Sequence, residues 1–453
     1  MAPSDLRGVL SWLGERADEV WRSAQAVIGR DRLRIGVTGL SGAGKTVFTT
    51  SLIHALKHGA AHPEAMPLFA TRLGSTPIVA SVEPLDDLPP FPYAENIAGL
   101  IASPPRWPRP TDALCGVRVR LGSGSDARSA VTIEIVDYPG EWLLDLELLR
   151  LDYSEWSAAA VERVTRDGGG EARAWVADVV TAATQPEAAS RIVATYASLL
   201  RGLRARGFRH LQPGRLLAGD ADAAATAPAP LPAALAGSAL FVAMAARYDS
   251  YRRTQVEGFF RDHFARLDRQ IVLFDVIGAL AKGPDVMADT QAALASVLTS
   301  FRYRQIPWLD WLRARIDRVL VAATKVDHVT TSHYLNVRQL LAERFEASDW
   351  TVAVAGERIH FDVVASIRST VDGWIRHDGA QRAAIRGALK SEPGVLRLLV
   401  PSDVPPKPPT AWPQDGFVYA DFAPPDLAGF AAKPFPNVNL DKALDFLIGD
   451  RLR

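Results

Sequence analysis

The stretch Gly39-Leu40-Ser41-Gly42-Ala43-Gly44-Lys45-Thr46 matches G-x-x-x-x-G-K-[ST], a spacing whose chemistry is phosphate binding. Phosphate is a dense anion, held best where backbone N–H groups converge at the positive end of a helix. Gly39, Gly42 and Gly44 permit backbone shapes and close approaches that a Cβ blocks. The Lys45 ammonium has the reach for β and γ phosphates, and the Thr46 hydroxyl suits Mg²⁺. The expected nucleotide contacts here are Ser41, Gly42, Ala43, Gly44, Lys45, Thr46 and Val47.

Three further clusters suit the same ligand. Asp137-Tyr138-Pro139-Gly140 ends an apolar run, so the Asp137 carboxylate is expected at a strand's C-terminal edge, reaching Mg²⁺ through a metal-bound water, with the Gly140 N–H near a γ-phosphate. Glu141 stands where a water-orienting side chain is wanted. Its carboxylate can orient water but also repels the γ-phosphate, which predicts slow turnover; the competing role is bracing the helix that follows. Thr111, just ahead of a strand, is the candidate to close over Mg²⁺ when triphosphate binds. The candidate catalytic residues are thus Lys45, Glu141 and Thr111, and the candidate metal ligands Thr46, Asp137 and Thr111. Arg106 and Arg109 are potential arginine fingers, with surface solvation as the competing reading. In Thr324-Lys325-Val326-Asp327, the Asp327 carboxylate can accept from N1–H and the exocyclic N2 amine of guanine together, a pattern adenine does not offer. Lys325 is expected to lay its stem along the base, and the loop Ser366-Ile367-Arg368 to offer N–H to the guanine carbonyl.

These residues need a strand before the phosphate loop and a helix after it, and Leu33 to Thr38 and Val47 to Lys57 have those patterns. Eleven prolines between Gly59 and Pro110 exclude a continuous helix or central strand there. Cys115 to Leu121 and Val131 to Val136, joined by Gly122-Ser123-Gly124-Ser125-Asp126, read as an antiparallel hairpin. From Glu141 to about Arg269 the strand signal gives way to helices over Leu143–Leu151, Ala158–Val164, Arg173–Ala183 and Ala188–Leu203, broken at Gly168-Gly169-Gly170. Buried strands resume at Gln270–Val276, Arg318–Ala323 and His360–Ala365. The fold class expected is α/β: a P-loop NTPase of GTPase type, a mixed sheet flanked by helices, with a large all-helical insertion and a C-terminal extension. The organisation expected is an N-terminal amphipathic helix (1–30), a first core segment (31–140), the insertion (141–269), a second core segment (270–370) and a Pro-rich extension (371–453) with one strand candidate, Gly416–Phe422, and a closing helix.

Composition narrows the partners. Lys+Arg and Asp+Glu are 51 each, with no basic block for nucleic acid. A single cysteine, Cys115, excludes an intrachain disulfide and a Cys-rich zinc site, and reads as a small core residue. No stretch reaches the ~20 apolar residues of a membrane span, so a cytoplasmic chain is expected; the mixed charge on the polar face of Ser4–Ile28 favours packing on the body of the protein, with peripheral contact at the inner membrane as the alternative.

Phosphate loop, D-x-x-G, [NT]-K-x-D and a small-residue loop stand in the order found in the translation-factor-related class of P-loop GTPases, which the chain resembles. Thr324 replaces the commoner Asn. More closely, GLSGAGKT, DYPGEWLLDL, QIVLFDV, TKVD, VASIRST and the terminal LDKALDFLIGD resemble the YcjX-like family of bacterial stress-associated predicted GTPases over nearly the whole chain. The resemblance implies binding of guanine nucleotide, a stress-linked role, and partnership with an inner-membrane protein; together with the Mg²⁺ ligands read from the residues, the expected activity is hydrolysis of GTP to GDP in a conformational switch. Two other readings stay open: an ATP-using small-molecule kinase, and a nucleotide-gated binding module with negligible hydrolysis.

Overall fold

The computed structural model describes residues 32–74, 78–111, 113–123, 131–217, 221–300, 316–346, 359–377 and 379–452. The amphipathic stretch Ser4–Ile28 and most of the glycine-rich hairpin link lie outside them.

Strand β1 (Arg32–Gly39) is buried at every position but the first, as a continuous apolar run in a covered parallel sheet requires. It sits at the middle of seven strands ordered β2-β3-β4-β1-β5-β6-β7. β2 (Ile78–Pro84), β3 (Cys115–Ser123) and β4 (Val131–Asp137) pair antiparallel, and β4, β1, β5 (Arg269–Phe274), β6 (Arg318–Thr324) and β7 (Ile359–Val364) run parallel. β2 falls in the proline-punctuated segment but takes the edge, where Pro84 breaks no central ladder. Because five strands point the same way, their C-terminal ends, and the residues that follow them, share one rim.

Alternation along the strands splits the apolar residues between two faces. Ile271 and Leu273 join Val37, Phe48 and Leu52 on one side, while Val272 and Phe274 join the core of the helical region on the other. Helices α1 (Lys45–His58), α2 (Pro67–Leu73) and α3 (Tyr93–Leu100) precede the hairpin, and α4 (Glu141–Asp145) follows it. The run Leu143–Leu151, expected as one helix, is instead this short α4 followed by a 3₁₀ turn over Leu146–Leu149. Then come α5 (Tyr153–Thr181), α6 (Ala189–Arg206) and α7 (Ala239–Tyr251), packed around buried Trp156, Tyr196 and Tyr248. Asp152 and Glu155 form a capping box at the head of α5. At the glycine triplet Gly169 is non-helical (φ 57°, ψ −131°), so α5 is two helices meeting at a kink where the break was expected.

The helical region is fastened to α4 by buried Asp145, whose Oδ1 accepts from the Gly214 N–H (2.7 Å) and Oδ2 from the Tyr251 hydroxyl (2.5 Å). Burial pushes the Asp145 carboxyl up to about 6, against the pull of these donors. After β5 follow α8 (Val276–Ala281) and α9 (Pro284–Ser300), and after β6 α10 (Tyr334–Glu346).

The tail differs from expectation. β8 (Val371–His377), β9 (Ala380–Ala388) and β10 (Leu396–Leu399) form a second, antiparallel sheet, and Gly416–Phe422 contributes only an isolated bridge from Phe422 to Leu389. The alternation in this sheet is hard to read because Trp374, Leu396 and Leu398 are exposed while small Ala384 is buried. Helix α11 (Leu440–Ile448) then returns to the main sheet and packs Leu444, Leu447 and Ile448 into the β1 core.

Candidate functional site

A cleft of about 470 Å³ follows the shared rim, from the phosphate loop after β1 to the turns after β6 and β7. At its first end the loop closes with Ala43 N–H donating to the Leu40 carbonyl (2.9 Å), and Gly42 and Gly44 take φ of 86° and 75°. Gly44 is the N-cap of α1, so the left-handed turn delivers the loop into the positive end of that helix. Gly140 approaches from β4 so closely that a Cβ there would lie 2.6 Å from the Gly39 carbonyl.

Around this loop the structure brings together Lys45, Thr46, Thr111 and Asp137. The Thr46 and Thr111 hydroxyls are 2.9 Å apart, and the Thr111 N–H donates to Thr46 Oγ1 (3.0 Å). The Lys45 ammonium donates to Asp137 Oδ1 and to the Thr111 carbonyl (3.2 Å). Thr49, one turn along α1, donates to Asp137 Oδ2 (2.9 Å). Burial drives the Asp137 carboxyl above the usual carboxylate range, with Lys45 and Thr49 pulling the other way. These are hard oxygen donors beside a phosphate cradle, the set that Mg²⁺ takes. Among the described residues no cluster of three or more His, Cys, Asp or Glu side chains forms another metal site. Cys115, buried at the start of β3, has its thiol pushed up to about 12 by burial.

Glu141, the first residue of α4, lines the cleft and has Arg204 Nη2 at 3.7 Å from its Oε1. Its backbone carbonyl is packed so tightly that a Cβ on Gly214 would come within 2.2 Å. Arg106 and Arg109 are exposed and lie outside the cleft wall.

At the far end Asp327 is buried, and its Oδ2 accepts both the Ser369 N–H (2.7 Å) and the Ser369 hydroxyl (2.6 Å). Lys325 sits at φ 59°, an uncommon shape for a side-chain-bearing residue, with its ammonium on Asp275 Oδ2 (2.6 Å). Burial opposes ionisation of Asp275, but the Lys325 charge and the Gly278 N–H hold its carboxyl below the usual range. Thr324 gives its hydroxyl to the Phe274 carbonyl (3.2 Å), tying the ends of β5 and β6 together.

Of the loop Ser366-Ile367-Arg368, the first two residues line the cleft. Arg368 does not: its N–H is spent on the Pro436 carbonyl (2.6 Å) and its Nε on the Thr370 carbonyl (2.9 Å). Ser369, one position further on, is the residue that meets Asp327, and sequence reasoning missed it. Sequence reasoning also missed Asp275, although an acid closing an apolar strand was a readable signal, and the tail. Phe422 walls the base end, accepting at its carbonyl from Trp107 Nε1 (2.9 Å) and meeting the His328 ring edge-on at 5.1 Å.

A phosphate loop at the end of a central parallel strand, with an antiparallel hairpin on one side and a T-K-x-D turn two strands away on the other, defines an α/β P-loop protein of the GTPase type. Residues 33–452 match the YcjX-like family, DUF463, and the chain belongs to that family. It is 34% identical over 455 residues to the "Ras-like GTPase YcjX" of Escherichia coli strain K12, covering 94% of this chain and 97% of the relative. To the protein of the same name from Shewanella oneidensis strain MR-1 it is 31% identical over 482 residues, covering 96% and 98%.

Proposed function

We propose that this protein binds guanine nucleotides and hydrolyses GTP to GDP and phosphate, using the cycle as a conformational switch. The observation that carries the reading is the Asp327 carboxylate, oriented by Ser369 at the opposite end of the cleft from the phosphate loop. A buried carboxylate with one oxygen already oriented by a neighbour is preorganised to accept from the two guanine donors. The names of the two relatives, both Ras-like GTPases, support the same nucleotide.

Phosphoryl transfer leaves the protein little covalent work, so its residues position and neutralise. The loop N–H groups and Lys45 hold the β and γ phosphates, and the Gly140 N–H faces the terminal one. Thr46, Thr111 and Asp137 would hold Mg²⁺, which when bound screens charge on the phosphates. Thr111 belongs to the segment before β3, so its engagement with Thr46 reports the state of the nucleotide. The turn from Asp137 to Trp142 carries the same signal into α4, and Asp145 passes it to Gly214 and Tyr251 of the helical region. That region is thereby the moving part of the switch. No helix among the described residues is long and apolar enough to cross a membrane.

Glu141 favours one qualification. A carboxylate beside the γ-phosphate slows hydrolysis, so a long-lived GTP state is expected. Calorimetry with GTP, GDP, ATP and XTP on the wild type and Asp327→Asn tests the assignment. Guanine preference in the wild type, shifting toward xanthine in the variant, is the expected result; equal ATP and GTP affinity with no effect of the substitution would sink it.

A further inference from the structure

The helical region touches the phosphate end through the last turn of α6. Leu200 and Leu203, both buried, seat that turn, and Gly207 ends the helix at φ 113°. Between them Arg204 leaves the helical region and crosses to the phosphate loop. Its Nη2 donates to Ser41 Oγ (3.0 Å) and stands 3.7 Å from Glu141 Oε1, while Nη1 donates to the Leu217 carbonyl (3.3 Å). Arg204 is the one arginine among the described residues that line the cleft. Arg209 fixes the turn that carries it, donating from Nη1 to the Arg204 carbonyl (2.9 Å), and Asp289 holds Arg209 in turn by accepting its backbone N–H.

A basic residue in the last turn of a helix ordinarily does no more than complement the dipole and solvate. Arg204 departs from that role because its partners on the core, Ser41 and Glu141, belong to the phosphate loop and to the position facing the terminal phosphate. We propose that Arg204 is the catalytic arginine of GTP hydrolysis, supplied in cis by the helical insertion to the core that the insertion interrupts. The proposal rests on the GTPase reading above and adds the regulator of that site.

In the step concerned, the oxygen of a water bonds to the γ-phosphorus while the bond from that phosphorus to the β–γ bridging oxygen breaks. The electron pair leaves on GDP, and the water's proton leaves with inorganic phosphate or to bulk water. Charge accumulates on the bridging and γ oxygens, and the forked guanidinium neutralises it. Its second effect is on Glu141: a cation at 3.7 Å offsets the repulsion between that carboxylate and the γ-phosphate, so the acid can orient water. The position of α6 therefore sets the rate, and a partner that shifts the insertion turns hydrolysis up or down without touching the nucleotide.

The test uses the full chain as wild type, Arg204→Ala and Arg204→Lys. GTP and GDP affinities come from calorimetry, single-turnover hydrolysis gives the rate, and trapping of GDP with aluminium fluoride reports the transition-state complex. Expected for Arg204→Ala is near-unchanged GTP affinity, a fall in rate of about 10³-fold or more, failure to trap aluminium fluoride, and partial recovery on adding millimolar guanidinium ion. Arg204→Lys is expected to recover little, because an ammonium lacks the fork. If Arg204→Ala hydrolyses GTP at the wild-type rate, the proposal is wrong. The same holds if affinity and rate fall together with no guanidinium rescue, since Arg204 would then only brace the loop. A wild type that binds GTP without turnover overturns the proposal and the enzymatic reading together.

Discussion

At the phosphate end of the cleft the phosphate loop itself comes from residues 32–58, one strand, one turn and one helix in unbroken sequence, with Gly140, Asp137 and Thr111 brought to it from elsewhere. The base end is assembled from the turn after β6, the loop after β7, Trp107 and Phe422 of the tail, segments hundreds of residues apart. A cradle made of consecutive backbone N–H groups forms whenever its strand and helix form. A pocket assembled from distant pieces forms only when the whole chain has closed around the sheet. Phosphate binding is thus a local property of this molecule, and base selection a global one.

The sharpest way to break the first half is Lys45→Ala, which removes the phosphate cation and leaves buried Asp137 without its cation, with Thr49 still donating to Oδ2. Triphosphate affinity is expected to fall by roughly 10²–10³-fold, whatever the base, the scale of one preorganised donor lost to a charged phosphoryl group. Asp327→Asn attacks the second half. GTP affinity should drop by about 10- to 150-fold, the equivalent of 1.5–3 kcal/mol for hydrogen bonds to a charged acceptor, while ATP affinity is unchanged. Calorimetry reads both, and a base-independent loss in the Asp327 variant would erase the distinction between the ends.

A milder probe of the assembled end is Trp107→Phe, which keeps the ring and deletes the donor to the Phe422 carbonyl. About 1 kcal/mol, or fivefold, in guanine nucleotide affinity is expected, with more proteolytic nicking of the tail. A last probe, read in stability rather than in nucleotide affinity, concerns the link between core and helical region. The Asp145 carboxyl titrates at about 6 in the folded protein against 3.8 as its ordinary value. The native state therefore holds more protons in that window, and this group's contribution to stability declines as pH rises from about 4 to about 6, by at most ~3 kcal/mol. Denaturant titrations of the wild type and Asp145→Asn across that range should differ in slope in this sense; parallel curves would mean that the carboxyl is not so shifted.

The same contrast explains what could be read in advance. The phosphate loop, the strand ending in Asp137 and the hairpin announce themselves because apolar period, turn chemistry and motif spacing coincide within short windows. Ser369 and Arg204 carry no such signal. Ser369 matters because β7 brings the loop after it beside the turn after β6, and Arg204 because the packing of α6 aims it at Ser41. The tail sheet was hidden for a related reason: Val371, Trp374 and Leu396 lie exposed, so one-sided burial never imposed a period on the sequence. Among the loop residues offered for the base, Arg368 gives its N–H to the tail segment at Pro436, a partner far away in sequence.

Inside α1, the buried imidazole of His54 accepts at Nδ1 from the Tyr93 hydroxyl (2.9 Å), donates from Nε2–H to the Phe430 carbonyl (2.9 Å) and stacks on Phe435 at 4.4 Å. The helix that begins at Lys45 is thus gripped by a residue 376 positions downstream of His54, and α11 seals the β1 core after it. During synthesis the chain proceeds from N-terminus to C-terminus, so the phosphate loop emerges before its clamp and waits for it while the 376 positions beyond His54 are made. A ribosome stalled anywhere before residue 430 would hold a nascent chain with the motif but without the closed core, its apolar sheet face open to whatever binds exposed strands. Contacts of such long sequence separation also predict slow folding.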